Sequence, residues 1–193
     1  MKSDRISINR QTRETSISGF LTEDPSVRRI VTPIPVFSHF LDQLAFYSGL
    51  GLELDARDLE PADDHHVVED TALAVGDALN TWFGDRVGRR RFGQCWLPMD
   101  DALALAVLDI GGRPGFWFRG RFRREAVGGL AVENILHFFR SFAHTARFTL
   151  HLRVSGQNVH HMAEALFKAT GLALEEARQP WAGLARSTKG GLR

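Results

Sequence analysis

The chain carries one device twice, and that duplication limits what it can fold into. The first copy reads His39-Phe-Leu-Asp-Gln-Leu and then Asp63-Asp64-His65-His66-Val-Val-Glu69. The second reads His137-Phe-Phe-Arg-Ser-Phe and then Asn158-Val159-His160-His161-Met-Ala-Glu164. In each half a lone His precedes a His-His-x-x-Glu, by 26 residues in the first and 23 in the second. Six of the eight histidines fall in this pattern, so chance is a poor account of it. Imidazole and carboxylate are the ordinary ligands of Mn, Fe, Ni and Zn. Two related metal sites, and a reaction centred on them, are the first expectation.

Helical geometry sharpens it. If each His-His-x-x-Glu opens a helix, the first His and the Glu lie on one face, at i and i+4. The second His is rotated by about 100°. Two imidazoles diverging this way do not grip one ion easily. They suit two ions, or two subunits.

The rest of the chain fits a repeated unit. Arg5–Asn9 and Glu14–Phe20 alternate apolar and polar residues, as half-buried strands do. Thr22–Ser26 reads as a polar turn. A helical stripe at Phe37, Phe40, Leu41, Leu44 and Ala45 predicts a helix over 37–48, ended by Gly49 and Gly51. Leu52–Arg57 alternates again. Asp63 or Asp64 can cap a helix from His65 to about Phe83, with Gly84 as its stop. The second half repeats the order. Ala102–Ile110 and Gly115–Phe122 predict strands around the Gly111–Pro114 turn. Helices follow at Val132–Ala143 and His160–Ala177, with a strand at Arg147–Val154 between them.

Each half therefore reads β-β-α-β-α. The expected fold is α+β: tandem duplicated units with a helical layer packed between two four-stranded sheets. The first repeat covers 1–84 and the second 102–178. Residues 85–101 connect them and add a short strand at Phe92–Leu97. The tail, 179–193, stands apart with Pro180, Gly183, Gly190 and Gly191.

Bulk properties exclude several classes. A net charge of +1 offers no electrostatic footprint for nucleic acid or an acidic membrane. No apolar run approaches a membrane span and no signal peptide opens the chain. The one cysteine, Cys95, forbids an internal disulfide and reads as a buried structural thiol. A soluble cytoplasmic protein is expected.

The metal candidates are His39, His65, His66, Glu69, His137, His160, His161 and Glu164. Asp63, Asp64 and Asp70 flank the first pair and are natural hydrogen-bond partners for ligand imidazoles. A second constellation is basic. It comprises Arg91 after Arg89 and Arg90, Arg113 in a tight turn, Lys168 one turn past Glu164, and Ser187-Thr188-Lys189-Gly190. Arginine, lysine and hydroxyl groups converging near a metal suit a phosphate monoester. Glu14 is a further carboxylate, on a strand of small and apolar residues. His144 and His151 lie outside the pattern and read as structural.

These segments, together with Arg91-Phe-Gly, Pro98-Met-Asp100, Gly112-Arg-Pro114 and Thr149-Leu-His151, closely resemble the imidazoleglycerol-phosphate dehydratases of histidine biosynthesis. The match runs in order along nearly the whole chain. The resemblance implies removal of water from imidazole glycerol phosphate to give imidazole acetol phosphate. It implies two Mn²⁺ ions per subunit, with Zn²⁺, Fe²⁺ or Co²⁺ as possible substitutes, since the same donors suit them. The eight candidates would be the ligands, three imidazoles and one carboxylate to each ion. Metals on the substrate's ring nitrogens would favour an imidazolate and a diazafulvene-like intermediate that expels the C3 hydroxyl.

Glu14, His65 and Glu164 would be catalytic by the same resemblance, with Glu14 the acid/base glutamate. Arg91, Arg113, Lys168, Ser187 and Lys189 would grip phosphate. A homo-oligomer is implied, a 24-subunit shell built from trimers, with neither nucleic acid nor membrane as partner. The chain also departs from the family pattern. Tyr47 stands where the family has His, eight residues after the first ligand, and would touch substrate. Val159 replaces Asp before the second His pair, Asp101 replaces Glu, and Arg13 replaces Lys. Two other readings keep the metals: a divergent relative acting on another azole or phosphate, and a non-catalytic protein whose ions staple subunits together. Glu14, Arg113, Lys168 and Lys189 speak against the staple, which has no use for a phosphate grip.

Overall fold

A computed structural model describes residues 5–182. The first unit runs β1 (Arg5–Gln11), β2 (Thr15–Thr22), β3 (Arg28–Val31), α1 (Pro35–Ser48), β4 (Gly51–Asp58) and α2 (His65–Phe83). The second runs β5 (Phe92–Met99), β6 (Ala102–Asp109), β7 (Gly115–Arg119), a small hairpin β8 (Ala126–Val127) and β9 (Leu130–Ala131), then α3 (Val132–Thr145), β10 (Thr149–Ser155) and α4 (Val159–Arg178). Sheet orders are β1-β2-β4-β3 and β5-β6-β10-β7. The two orders superpose strand for strand, and in each sheet only the last pair is parallel. The expected α+β fold, helices between two four-stranded sheets, is the fold observed.

Each unit is β-β-β-α-β-α rather than β-β-α-β-α. The extra strand of the first unit is β3, four residues at a sheet edge with Arg28 and Arg29 exposed. It shows no alternation because hardly any of it is buried. In the second unit the first strand is β5. It covers the short strand expected at Phe92–Leu97 and continues to Met99, and it pairs along its whole length with β6.

Helices of one unit pack on helices of the other, α1 against α4 and α2 against α3. Phenylalanines fill the joint. Phe40 stacks on Phe167 at 5.3 Å, and Phe138 meets Phe37 edge-on at 5.6 Å and Phe167 at 5.2 Å. All four are fully buried. Such pairs add specific geometry to a large apolar burial. Among the described residues no helix is long and apolar enough to cross a membrane.

Candidate metal centres

Local sequence sets the helix starts that carry the histidines. Asp63 Oδ1 accepts the His65 N–H at 2.8 Å, fixing the first turn of α2. Asn158 does the same for α4, accepting from His160 N–H at 2.9 Å and His161 N–H at 3.4 Å. Asp64 does not cap. Its Oδ2 accepts the Ala131 N–H at 2.6 Å, which ties the start of α2 to the entry of α3.

The packing of α1 on α4 and α2 on α3 decides which ligands meet. Two triplets form, His39–His160–Glu164 and His65–Glu69–His137, each with one donor atom per residue inside 4.8 Å of the others. Each takes its lone His from one unit and its His/Glu pair from the other. In the first, His39 Nε2 and His160 Nε2 stand 3.2 and 3.1 Å from Glu164 Oε2, with the two rings nearly parallel. In the second, His137 Nε2 is 3.3 Å from Glu69 Oε1 and His65 Nε2 is 3.7 Å from Glu69 Oε2. The His65 and His137 rings stack at 4.6 Å.

The second histidines turn away, as the helical geometry requires. The rings of His65 and His66 stand at 80° to each other, and those of His160 and His161 at 79°. His66 faces Glu14, with Nδ1 3.6 Å from Oε2. His161 Nδ1 donates to Asp101 Oδ1 at 2.7 Å, and its Nε2 lies 3.5 Å from Asp100 Oδ2. Thus six of the eight candidate ligands converge within this one chain, and His66 and His161 point outward.

Two observations show that the triplets fit a divalent ion. Among the described residues the buried His137 Nε2 makes no hydrogen bond, although a buried polar atom ordinarily does. His65 donates its Nδ1–H to Asn134 Oδ1 at 3.2 Å. That leaves the Nε2 lone pair aimed at Glu69, the tautomer a metal needs.

Asp63, Asp64 and Asp70 do not support the imidazoles. The first two serve backbone N–H groups. Asp70, five residues past His65, lies on another face of α2. There it takes Arg10 Nε at 2.6 Å and the hydroxyls of Thr12 and Thr15. It pins the β1–β2 hairpin, whose turn carries Glu14; that glutamate precedes β2 rather than lying in it. The groups that do touch ligand-type histidines are Asn134, Asp100, Asp101 and Glu14. Asn134 had one possible signal, its position three residues before His137 on the same helix.

Electrostatics differ around the two carboxylates. Burial pushes the Glu164 carboxyl up, but Lys168 and then His39 outweigh it and hold it below the usual carboxylate range. Lys168 Nζ is 2.8 Å from Glu164 Oε1, and it also lies 5.5 Å from the centre of the Tyr47 ring. Asp101 is held well below its ordinary value, first by the Asn158 N–H, then by His161 and the Gln157 N–H.

The basic constellation divides. Lys168 joins the first triplet. Arg91, in a left-handed backbone conformation, forms a two-pronged pair with Asp109 at 2.8 and 3.0 Å. Its backbone N–H donates to Ala177 O, near the far end of α4. The rise of an α-helix places that point roughly 25 Å from His160 along the axis. Arg113 is exposed in the β6–β7 turn at the same end of the sheet. Ser187 and Lys189 lie outside the described residues. His151 stacks on Trp117 at 4.6 Å, and His144 closes α3, both away from the triplets.

A duplicated α+β unit with a matching imidazole–carboxylate centre at each helix joint defines a pseudo-symmetric two-centre protein. Comparison gives the class its particular family. Residues 32–174 match the family model described as imidazoleglycerol-phosphate dehydratase. The chain is 45% identical to the imidazoleglycerol-phosphate dehydratase of Caldivirga maquilingensis, over 95% of this chain and 96% of that one. It is 44% identical over 96% of its length to the histidine biosynthesis bifunctional protein HisB of Legionella pneumophila, of which it spans 53%. The crystal structure of the imidazoleglycerol-phosphate dehydratase from Staphylococcus aureus superposes with a TM-score of 0.81 at 35% identity, covering 91% of this chain and 99% of that one. The chain belongs to the imidazoleglycerol-phosphate dehydratase family, a family of hydro-lyases.

Proposed function

We propose that the protein dehydrates imidazole glycerol phosphate to imidazole acetol phosphate, with two divalent metal ions per chain, Mn²⁺ foremost. The observation that carries the metal part is the pair of triplets, each assembled from both units around donors that Mn²⁺, Zn²⁺, Fe²⁺ or Co²⁺ accept. His39, His160 and Glu164 would hold one ion, and His65, Glu69 and His137 the other. When bound, the ions supply Lewis acidity toward the substrate's ring nitrogens.

The chain's own residues account for the rest. Glu14 is half-exposed beside His66, placed on a hairpin that Asp70 keeps rigid. It can take a proton from the substrate carbon and return one to the departing hydroxyl. Lys168 is a largely buried cation beside the first triplet, suited to an anionic substrate group. Both residues favour an enzyme over an inert metal staple.

We read the protein as a cytoplasmic homo-oligomer, a 24-subunit particle of trimers. The outward-facing His66 and His161 support this, because each can complete an ion's ligand set only outside its own triplet. Arg91 and Arg113 support it too. Lying at the far end of α4, they would serve a centre of a neighbouring copy. Metal binding would then strengthen assembly by mass action.

The test is product formation from imidazole glycerol phosphate, with Mn²⁺ and after chelation. Turnover that is present with metal and lost without it is expected. Full turnover in metal-free protein would overturn the reading.

Tyr47 has a positioning role in this scheme. Its ring packs against Lys168, where it can hold that cation toward an anionic substrate group. Tyr47→His is therefore expected to change kcat by less than about tenfold. A gain on the order of 10²-fold at constant KM would instead assign proton transfer to position 47.

A further inference from the structure

The two triplets are not electrostatic copies of one another. The difference sits one helical turn past each carboxylate. Four residues after Glu164 stands Lys168; four residues after Glu69 stands Leu73. Lys168 Nζ is 2.8 Å from Glu164 Oε1, and its side chain is only 17% exposed. Eight residues past the lone histidines, Tyr47 walls Lys168 on one side of the fold. Its counterpart Thr145 turns its hydroxyl back onto the Ser141 carbonyl. Glu164 thus divides its charge among His39, His160 and Lys168. Among the described residues Glu69 pairs with His65 and His137 alone.

We propose that the two centres take up divalent metal unequally and in order, His65–Glu69–His137 first and His39–His160–Glu164 second, and that a phosphate group on Lys168 strengthens the second. The proposal rests on the two-metal reading above. A dication entering the second triplet meets an ammonium already paired with its only carboxylate. Like charges repel strongly where burial lowers the effective dielectric constant. The same ammonium draws on the carboxylate's second oxygen, which weakens Glu164 as a donor. A phosphate dianion that engages Lys168 cancels this charge. Anion and second ion then favour each other, and by linkage each raises the other's affinity by the same factor. The first centre, with Leu73 in the equivalent place, has no such coupling. The order of loading follows: a resting protein holds one ion firmly, and substrate recruits the other.

Mn²⁺ titration of the stripped full-length protein, with free Mn²⁺ read by electron paramagnetic resonance, tests this directly. Two affinity classes at least about tenfold apart are expected. Dilute inorganic phosphate should tighten the weak class only. His65→Ala should remove the tight class and His39→Ala the weak one. Lys168→Met should bring the classes to within about threefold and abolish the phosphate effect. Leu73→Lys, on the half-exposed face of α2, should weaken the tight class. Equal classes in the unaltered protein, or a gap that Lys168→Met leaves unchanged, overturn the proposal while the two-metal reading stands. Absence of any bound Mn²⁺ removes the two-metal reading and the proposal with it.

Discussion

His39→Ala and His160→Ala are expected to lose the same ion, although one residue belongs to each repeat. Both side chains face the single oxygen Glu164 Oε2, at 3.2 and 3.1 Å. Either deletion leaves two donors where three converge. The double variant should therefore hold no less metal than either single one. His39→Ala combined with His137→Ala should strip both centres, because His137 belongs to the Glu69 triplet. If each repeat held its own ion, His39→Ala/His160→Ala would empty both sites rather than one, whereas His39→Ala/His137→Ala empties both in either arrangement. Activity should fall with occupancy. Lewis-acid stabilisation of several kcal/mol corresponds to a loss on the order of 10³-fold in kcat/KM. Metal analysis beside steady-state kinetics on the same preparations separates the two arrangements.

The second large effect lies in the apolar layer beneath the centres. Phe138 follows His137 on α3 and is fully buried. Its ring contacts those of Phe37, Phe139, Phe142 and Phe167, which come from three helices. Phe138→Ala removes a ring that both units share and leaves a cavity that the surrounding helices cannot close without moving the histidines. A cost of about 3–5 kcal/mol is expected, out of a total stability of about 5–15 kcal/mol. For a chain of this size the thermal midpoint should drop by roughly 6–20 °C. Metal affinity should weaken as well, since Phe40 of the same layer packs against His160 at 5.4 Å. Thermal unfolding of metal-free and metal-loaded protein measures both. A drop of only a degree or two would show that the phenylalanine layer is not what joins the units.

What was legible in the sequence was whatever a local pattern could encode. The helix expected from His65 to Phe83 is α2, residue for residue, because Asp63 and Gly84 mark its ends. The four-stranded sheets followed from duplication more than from strand patterns: β3 has two arginines and almost no buried face. The divergence of adjacent histidines followed from 3.6 residues per turn alone. The choice of partners did not. That His39 meets Glu164 rather than Glu69 depends on α1 packing against α4, a tertiary fact with no trace within either repeat. The aspartates misled for the same reason. Asp64 and Asp70 look available beside a histidine pair, but one reaches Ala131 across the helix joint and the other reaches Arg10 on β1. Asn134, which fixes the tautomer of His65, sits 69 positions away from it in the chain.

Anomalous diffraction at the manganese edge, from crystals grown with Mn²⁺, locates the ions themselves. Two peaks per chain are expected, one bonded to His39, His160 and Glu164 and the other to His65, Glu69 and His137. Peaks that join His39 to His65, or that lie away from both triplets, would contradict this placement.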